Sequence, residues 1–143
     1  MEIDREALAI LQGRFVGVLS TLVRGGPALA CVWYGFDGGD IVVSTPAGRR
    51  KDRNVRADSR VALLVDASDY SQPPGALGYR GVEVRGEAVT EPDVDARIRR
   101  AIAGRYLDPI PPEFEARWTA QERVIIRIRP TNVRVWGIPG RVR

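Results

Sequence analysis

The sequence predicts a mainly β fold, in which six or seven short antiparallel strands close into a small barrel and helices are inserted between some of them. Short apolar runs recur along the chain and are separated by turns that contain glycine, proline or aspartate. Several of these runs alternate apolar and polar residues, as half-buried strands do. The length of 143 residues fits one domain with one core, over residues 1–143.

The first third of the chain predicts one helix and three strands. Residues 4–12 have an amphipathic pattern, with Asp4 as the N-cap and Gly13 as the stop. The strands cover residues 15–22, 28–36 and 41–45. Turns at 24–27 and 37–40 contain the glycines that tight hairpins need. We therefore expect these three strands to form an antiparallel meander.

The rest of the chain predicts strands alternating with helices. A helix is predicted at 49–57, and an amphipathic helix at 92–106 has Pro92 as its first residue. The other predicted elements are a strand at 60–66, a loop at 67–78, a strand at 79–89, a short helix within 109–118, and strands at 123–130 and 132–138.

The composition excludes several kinds of catalytic and metal site. The chain has no histidine and a single cysteine, Cys31. It therefore cannot build a Ser-His-Asp or Cys-His site, a histidine-ligated metal site, or a cysteine-ligated zinc or iron–sulfur site. It contains neither a G-x-G-x-x-G motif nor a P-loop. We expect no metal site, and we expect Cys31 to be a small core residue.

The charge balance favours an anionic partner, because 22 basic residues against 18 acidic ones give a net charge of +4. A nucleic-acid-binding barrel is less favoured, since aromatic residues make up only 7% and the arginines are spread along the chain. No apolar run approaches the roughly 18 residues that span a bilayer. The acidic start, MEIDREALAIL, lacks the basic beginning of a signal peptide. We expect a cytoplasmic protein that binds neither membrane nor nucleic acid.

One segment, STPAGRRKDRN at 44–54, breaks a local rule. Arg49, Arg50 and Lys51 fall in the first turn of a predicted helix, where the helix dipole disfavours cations. A bound phosphate would resolve the conflict, because it accepts the free N–H groups of that turn and pairs with the cations. Ser44 and Thr45 would add hydroxyl donors. A solvated basic helix face, with Asn54 only packing, is the alternative that the residues leave open.

The order of segments resembles the split β-barrel flavin and deazaflavin oxidoreductase superfamily, often described as pyridoxamine 5′-phosphate oxidase-like. The resemblance covers nearly the whole chain, through ALACVWYGFDGGDIVVST, RRKDRNVRADSRVALLVD, YRGVEVRGEAV and NVRVWGIP. Its most specific part is the K-x-x-N core, Lys51 and Asn54, after Ser44 and Thr45. Within the superfamily the chain is most similar to the actinobacterial group that binds the deazaflavin F420. The implied fold is an FMN-binding type of split barrel.

The resemblance also implies a cofactor site at the interface of a homodimer. Arg50, Lys51, Ser44 and Thr45 would hold the cofactor phosphate, with Arg49 nearby and Asn54 keeping the shape of the turn. Val32, Trp33 and Tyr34 are candidates to line the ring system. Trp136 and the tail at 137–143 are candidates to reach the partner's site.

The function that this resemblance implies is an F420-dependent oxidoreductase that passes hydride from the reduced deazaflavin to a small conjugated substrate. FMN has a similar phosphate end, so an FMN flavoprotein of the same fold remains an alternative, as does a binding protein without turnover. The sequence indicates no catalytic residue or proton donor, since such chemistry belongs mainly to the cofactor. Pyridoxamine phosphate oxidation is not expected, because that activity uses a histidine which this chain lacks.

Overall fold

The computed structural model describes residues 1–71 and 78–137, and within them the chain forms a seven-stranded antiparallel sheet with four α-helices. The strands are β1 (Gly17–Val23), β2 (Gly26–Val32), β3 (Gly35–Asp37), β4 (Asp40–Pro46), β5 (Arg60–Asp66), β6 (Gly81–Pro92) and β7 (Arg123–Trp136). The helices are α1 (Arg5–Leu11), α2 (Arg50–Ala57), α3 (Arg97–Tyr106) and α4 (Pro112–Thr119), and a 3-10 turn covers Val94–Ala96.

The sheet closes on itself. The strand order is β2-β1-β5-β6-β7-β4-β3, so β2 and β3 occupy the two edges. Only Trp33 and Tyr34 separate these two strands along the chain. Val32 and Gly35 are therefore three residue steps apart, a span of at most about 11 Å, so the sheet must curl until its edges meet. The predicted mainly β antiparallel barrel is confirmed.

The two antiparallel hairpins of the predicted meander are confirmed, but its middle strand is not continuous. The predicted strand at 28–36 is divided, because its first part pairs with β1 as β2 and its last part pairs with β4 as β3. Its middle leaves the ladder, and the freed N–H of Tyr34 donates instead to the Tyr106 hydroxyl at 3.3 Å. The Tyr106 hydroxyl in turn donates to the carbonyl of Phe15. Helix α3 thereby holds the bend that closes the barrel.

Two boundaries in the second half of the chain also differ from the prediction. The strands predicted at 123–130 and 132–138 form one strand, β7, within the described residues. A register shift between Arg85 and Gly86 of β6 accommodates Pro130, which lacks the N–H of a regular ladder position. Pro92 ends β6 and does not begin a helix. Helix α3 begins at Arg97, after two residues with positive φ, Asp95 and Ala96.

The core lies inside the barrel and beneath α1. Inward-facing residues of β4, β5 and β6 are almost completely buried there, among them Ile41, Val43, Leu63, Val65 and Val84. Helix α1 adds Ala7, Ile10 and Leu11, and its predicted N-cap is confirmed, since an Asp4 carboxylate oxygen accepts from the Ala7 N–H at 2.8 Å. In the described ranges no helix has both the length and the apolar character needed to cross a bilayer.

Candidate functional site

The predicted helix after β4 is confirmed as α2, and its first turn is built around one carboxylate. Arg49 is the N-cap but makes no capping hydrogen bond through its side chain. Asp52 is 2% exposed, and its two oxygens accept from the Gly48 N–H and from Arg56 Nε, each at 2.7 Å. Gly48 has a φ of 76°, which favours glycine at the turn. The N–H groups of Arg50 and Lys51 have no acceptor within the helix, as in the first turn of any helix.

A cavity of about 450 Å³ lies beside this turn. Its polar lining consists of Ser44, Lys51, Arg99 and Arg123, and its apolar lining consists of Val16, Cys31, Val32, Trp33, Ile102, Phe114 and Trp118. Pockets of roughly 300–1,000 Å³ with an apolar wall and a few convergent polar groups are typical of cofactor and small-molecule sites.

The cations of the cavity are held close together without a matching carboxylate. Burial, with Arg123 and Arg50 adding repulsion, lowers the pKa of Lys51. Burial and Arg99 also lower the pKa of Arg123, although Asp93 acts against this. Among the described residues, Lys51 has neither a carboxylate nor a hydrogen-bond acceptor for its ammonium group. Half-buried like charges are unfavourable, so the site is electrostatically suited to an anion.

Ser44 connects the two sides of this cation cluster. Arg123 Nε donates to Ser44 Oγ at 2.9 Å, and Arg123 Nη2 donates to the Ser44 carbonyl at 3.3 Å. The pairing of β4 with β7 produces this contact, because it sets Arg123 opposite Pro46 and therefore near Ser44. The guanidinium is thus held in one orientation toward the cavity.

A cluster of aromatic side chains, Trp33, Tyr106, Phe114 and Trp118, forms an apolar wall beside the cavity. The ring of Trp33 stacks on Tyr106, with centroids 4.8 Å apart and planes 7° apart. Phe114 lies 5.7 Å from Trp33, and Trp118 meets Phe114 edge-on at 4.3 Å. Trp33 comes from the bend between β2 and β3, while Phe114 and Trp118 come from one face of α4. The wall therefore forms only when the barrel closes and α4 packs against the bend.

The structure brings four of the predicted site residues to this cavity: Val32, Trp33, Ser44 and Lys51. Arg49 and Arg50 are exposed at the adjacent first turn of α2, and Arg50 is close enough to lower the pKa of Lys51. Thr45, Tyr34, Asn54 and Trp136 lie elsewhere.

Three of these four point into the protein. Thr45 follows Ser44 on β4 and so faces the barrel interior, where its Oγ1 is buried without a hydrogen-bond partner among the described residues. Tyr34 is fully buried and donates to the Leu11 carbonyl at 2.7 Å. Burial raises the pKa of Tyr34 to about 12, so it remains a donor. Asn54 donates to Thr21 Oγ1 at 3.0 Å and ties α2 to β1.

Trp136 lies at the end of β7, against Tyr79, with ring centroids 6.3 Å apart. It lines a different cavity of about 410 Å³ together with Tyr79, Arg134 and Val135. Its predicted approach to a partner's site stays a prediction. Residues 138–143 of the predicted tail, and residues 72–77 of the predicted loop, lie outside the described residues.

The sequence pattern did not single out Arg99, Phe114, Trp118 or Arg123 as site residues. The spacing of Phe114 and Trp118, four residues apart in a predicted helix, was the one available signal for the aromatic wall. The expectation for Cys31 is wrong, since this residue is exposed. The alternation of β2 places it on the outer face of the barrel, beside the cavity.

The family model for pyridoxamine 5′-phosphate oxidase matches residues 3–137. The chain belongs to this family. Its barrel is accordingly the split barrel of pyridoxamine 5′-phosphate oxidase-like proteins, as the sequence predicted.

Solved structures of this fold are similar over almost the whole chain. A conserved hypothetical protein from Mycobacterium tuberculosis has a TM-score of 0.75 and 27% identity, over 99% of this chain and 92% of that one. A protein described as an F420 reductase has a TM-score of 0.69 and 26% identity, over 92% and 98%. A FAD-binding protein from Mesorhizobium loti has a TM-score of 0.65 and 25% identity, over 90% and 87%.

Proposed function

We propose that this family member binds the deazaflavin F420 in the cavity beside α2 and acts as an oxidoreductase on a small conjugated substrate. The observation that carries the proposal is the pair of half-buried cations Lys51 and Arg123, beside the first turn of α2 in a cavity with an aromatic wall. The similarity to an F420 reductase over 92% of this chain supports the choice of cofactor.

The residues present fit the phosphate end of such a cofactor. The Lys51 ammonium group lacks an acceptor among the described residues, and the first-turn N–H groups of α2 are directed along the helix axis. A phosphate there would offset the mutual repulsion of Lys51 and Arg123 and would accept from Ser44. Arg50 would add charge from the exposed side. Thr45 faces the barrel interior, so it would not contact the phosphate and would contribute only to the packing of β4.

The residues of this chain would supply binding, orientation and exclusion of water. Lys51 and Arg123 anchor the charged end, while Val32 and Trp33 offer an apolar surface on which a planar ring can lie. Reduced F420, when bound, would supply the hydride that the substrate accepts. Phe114 and Trp118 cover the ring end of the cavity and limit the access of water.

An FMN-dependent enzyme of the same fold is the second candidate. The similarity to a FAD-binding protein favours it, and the phosphate subsite would accept the phosphate of FMN equally well. Pyridoxamine phosphate oxidation is not proposed, because the chain has no histidine.

The test is a pair of fluorescence titrations of the purified protein with F420 and with FMN, followed by turnover. With reduced F420 and menadione as a quinone acceptor, we expect an increase in absorbance at the deazaflavin band that depends on the protein. Preferential FMN binding would transfer the proposal to the flavin alternative. Tight F420 binding without hydride transfer to any of a panel of quinones and enones would indicate a binding protein, and no binding of either cofactor would refute the proposal.

A further inference from the structure

Helix α4 is attached to the rest of the protein almost entirely through the cavity. None of its eight residues is buried. Its described contacts are the stacking of Phe114 near Trp33, an ion pair between Glu115 and Arg100 at 3.1 Å, and a hydrogen bond from Arg99 to the Trp118 carbonyl at 3.2 Å. The apolar side chains of α4 therefore contribute little to the core, and they cover the cavity instead.

Arg99 is a cation that these contacts leave with free donor groups. Its Nη1 donates to the Trp118 carbonyl, whereas Nε and Nη2 have no acceptor among the described residues. No carboxylate of the described residues pairs with it within ion-pair distance. Asp93 is the carboxylate at the start of α3, but its two oxygens already accept from the N–H groups of Ile98 and Arg99, each at 3.0 Å.

The backbone that positions Arg99 is strained. Asp95 and Ala96 have φ values of 56° and 57°, in the left-handed region that residues with a Cβ avoid. Such conformations are unfavourable and cluster at binding and catalytic sites. Here they turn the chain from β6 into α3 within four residues, and the first turn of α3 then presents Arg99 to the cavity.

The two arginines of the cavity are close enough for Arg99 to lower the pKa of Arg123, but they are held by different partners. Arg123 is fixed by Ser44, on the side of Lys51 and the first turn of α2. Arg99 is fixed by the backbone of Trp118, on the side of the aromatic wall. An anionic group beside the aromatic wall would pair with Arg99, while Arg123 faces Lys51 and the first turn of α2.

We infer that the part of the cavity between α3 and α4 is the substrate subsite, which selects planar conjugated compounds that carry a negative charge. Trp118 and Phe114 contact the planar part, and the free edge of the Arg99 guanidinium pairs with a carboxylate or a similar oxyanion. This inference rests on the proposed function for the identity of the cofactor. The recognition itself uses only residues of this chain.

The test measures the binding of two matched probes, 2-naphthoate and its neutral amide, by isothermal titration calorimetry in the presence of saturating oxidised F420. We expect the protein to bind the acid at least about tenfold more tightly than the amide, because only the acid forms a charge-assisted pair with Arg99. Arg99→Gln should reduce this ratio to less than about twofold, whereas Trp118→Ala should weaken both probes and leave the ratio unchanged. Arg117 is an exposed arginine next to Trp118 on α4, and Arg117→Gln is the control. It should change neither the affinities for the two probes nor their ratio.

Two results would overturn the inference. An unchanged acid-to-amide ratio in Arg99→Gln would show that this arginine does not recognise the charge. A loss of F420 affinity in Arg99→Gln, with the probes unaffected, would assign Arg99 to the cofactor phosphate. If F420 does not bind at all, the proposed function fails by itself. The same probe titrations are then done with inorganic phosphate occupying the Lys51 side, and the ratio decides the inference as before.

Discussion

At the scale of single residues, Lys51 and Arg123 indicate a binding site because two partly buried cations lie close together, which is unfavourable without an anion. Each has its pKa lowered by burial and by neighbouring cations, so the charged forms are disfavoured in the folded protein. Inorganic phosphate should relieve this repulsion by binding between them. It should raise the melting temperature by about 2–4 °C over chloride at equal ionic strength.

The Arg123→Gln variant should lose more than half of that increase in melting temperature, because one of the two principal cations is gone. Arg53→Gln is the matched control, since Arg53 is exposed on α2 and does not line the cavity. Differential scanning fluorimetry measures the effect. A full phosphate response in Arg123→Gln would show that phosphate does not bind where we place it.

The sequence could reveal Lys51 but not Arg123. Lys51 can be recognised because three consecutive cations stand at the end of a predicted helix where the helix dipole disfavours them, and this signal is local in sequence. Arg123 becomes part of the site only through the pairing of β4 with β7, in which Ser44 and Arg123 are 79 positions apart. One sequence carries no local signal for that register.

At the scale of secondary-structure elements, Asp37 joins three of them. It ends β3 and accepts from Arg97 of α3 at 3.2 and 3.3 Å and from Arg127 of β7 at 2.7 Å. Hydrogen bonds from Arg97 and then Arg127 lower the pKa of Asp37 to about 2. A carboxyl group whose pKa is lower in the folded state stabilises the fold at pH values above its pKa in the unfolded state. It loses that contribution as the pH falls through the pKa of the folded state.

We expect Asp37→Asn to lower the free energy of unfolding by about 1 kcal/mol at pH 7, a modest value because the side chain is partly exposed. The difference from the unmodified protein should disappear between about pH 4 and pH 2, as the native carboxyl is protonated. Urea titrations at several pH values measure it. Glu87→Gln, an exposed strand residue without an ion pair among the described contacts, is the control. A pH-independent difference would contradict the role assigned to Asp37.

The elements themselves were mostly predictable, and the errors have physical causes. The bounds of β5 and the start of α2 follow from apolar alternation and from turn residues, which act locally. The division of 28–36 into β2 and β3 does not, because it arises from closing a barrel whose edges meet at Trp33 and Tyr34. Pro130 indicates a strand end, but a bulge at the next residue, Thr131, lets β7 continue.

At the scale of the whole molecule, the outer face of β2, β1 and β5 is unusually apolar. Leu29 is 64% exposed and Leu64 is 41% exposed. Register places Cys31, Val18 and Leu64 in one row across the three strands, with Leu29 one row away. Val16 and Cys31 belong both to this face and to the cavity. We propose that a second copy of this chain covers the face and completes the cofactor site.

The Leu29→Glu variant should therefore shift the protein from dimer to monomer in sedimentation velocity experiments and should also weaken cofactor binding, because a buried charge without a partner is unfavourable. Val94→Glu places the same charge at an exposed valine away from this face and should change neither. A monomer before mutation, or a dimer that survives Leu29→Glu with full cofactor affinity, would refute the proposed interface.

The central claim is that the cations at the start of α2 bind the phosphate of the cofactor. Its most direct test compares the affinities for F420 and for the same deazaflavin without its phosphodiester and tail, in the unmodified protein, in Lys51→Gln and in Arg53→Gln. We predict at least about a tenfold preference for F420 in the unmodified protein and in Arg53→Gln. In Lys51→Gln the preference should fall below about threefold. Equal binding of the two ligands by the unmodified protein, or an undiminished preference in Lys51→Gln, would contradict the account.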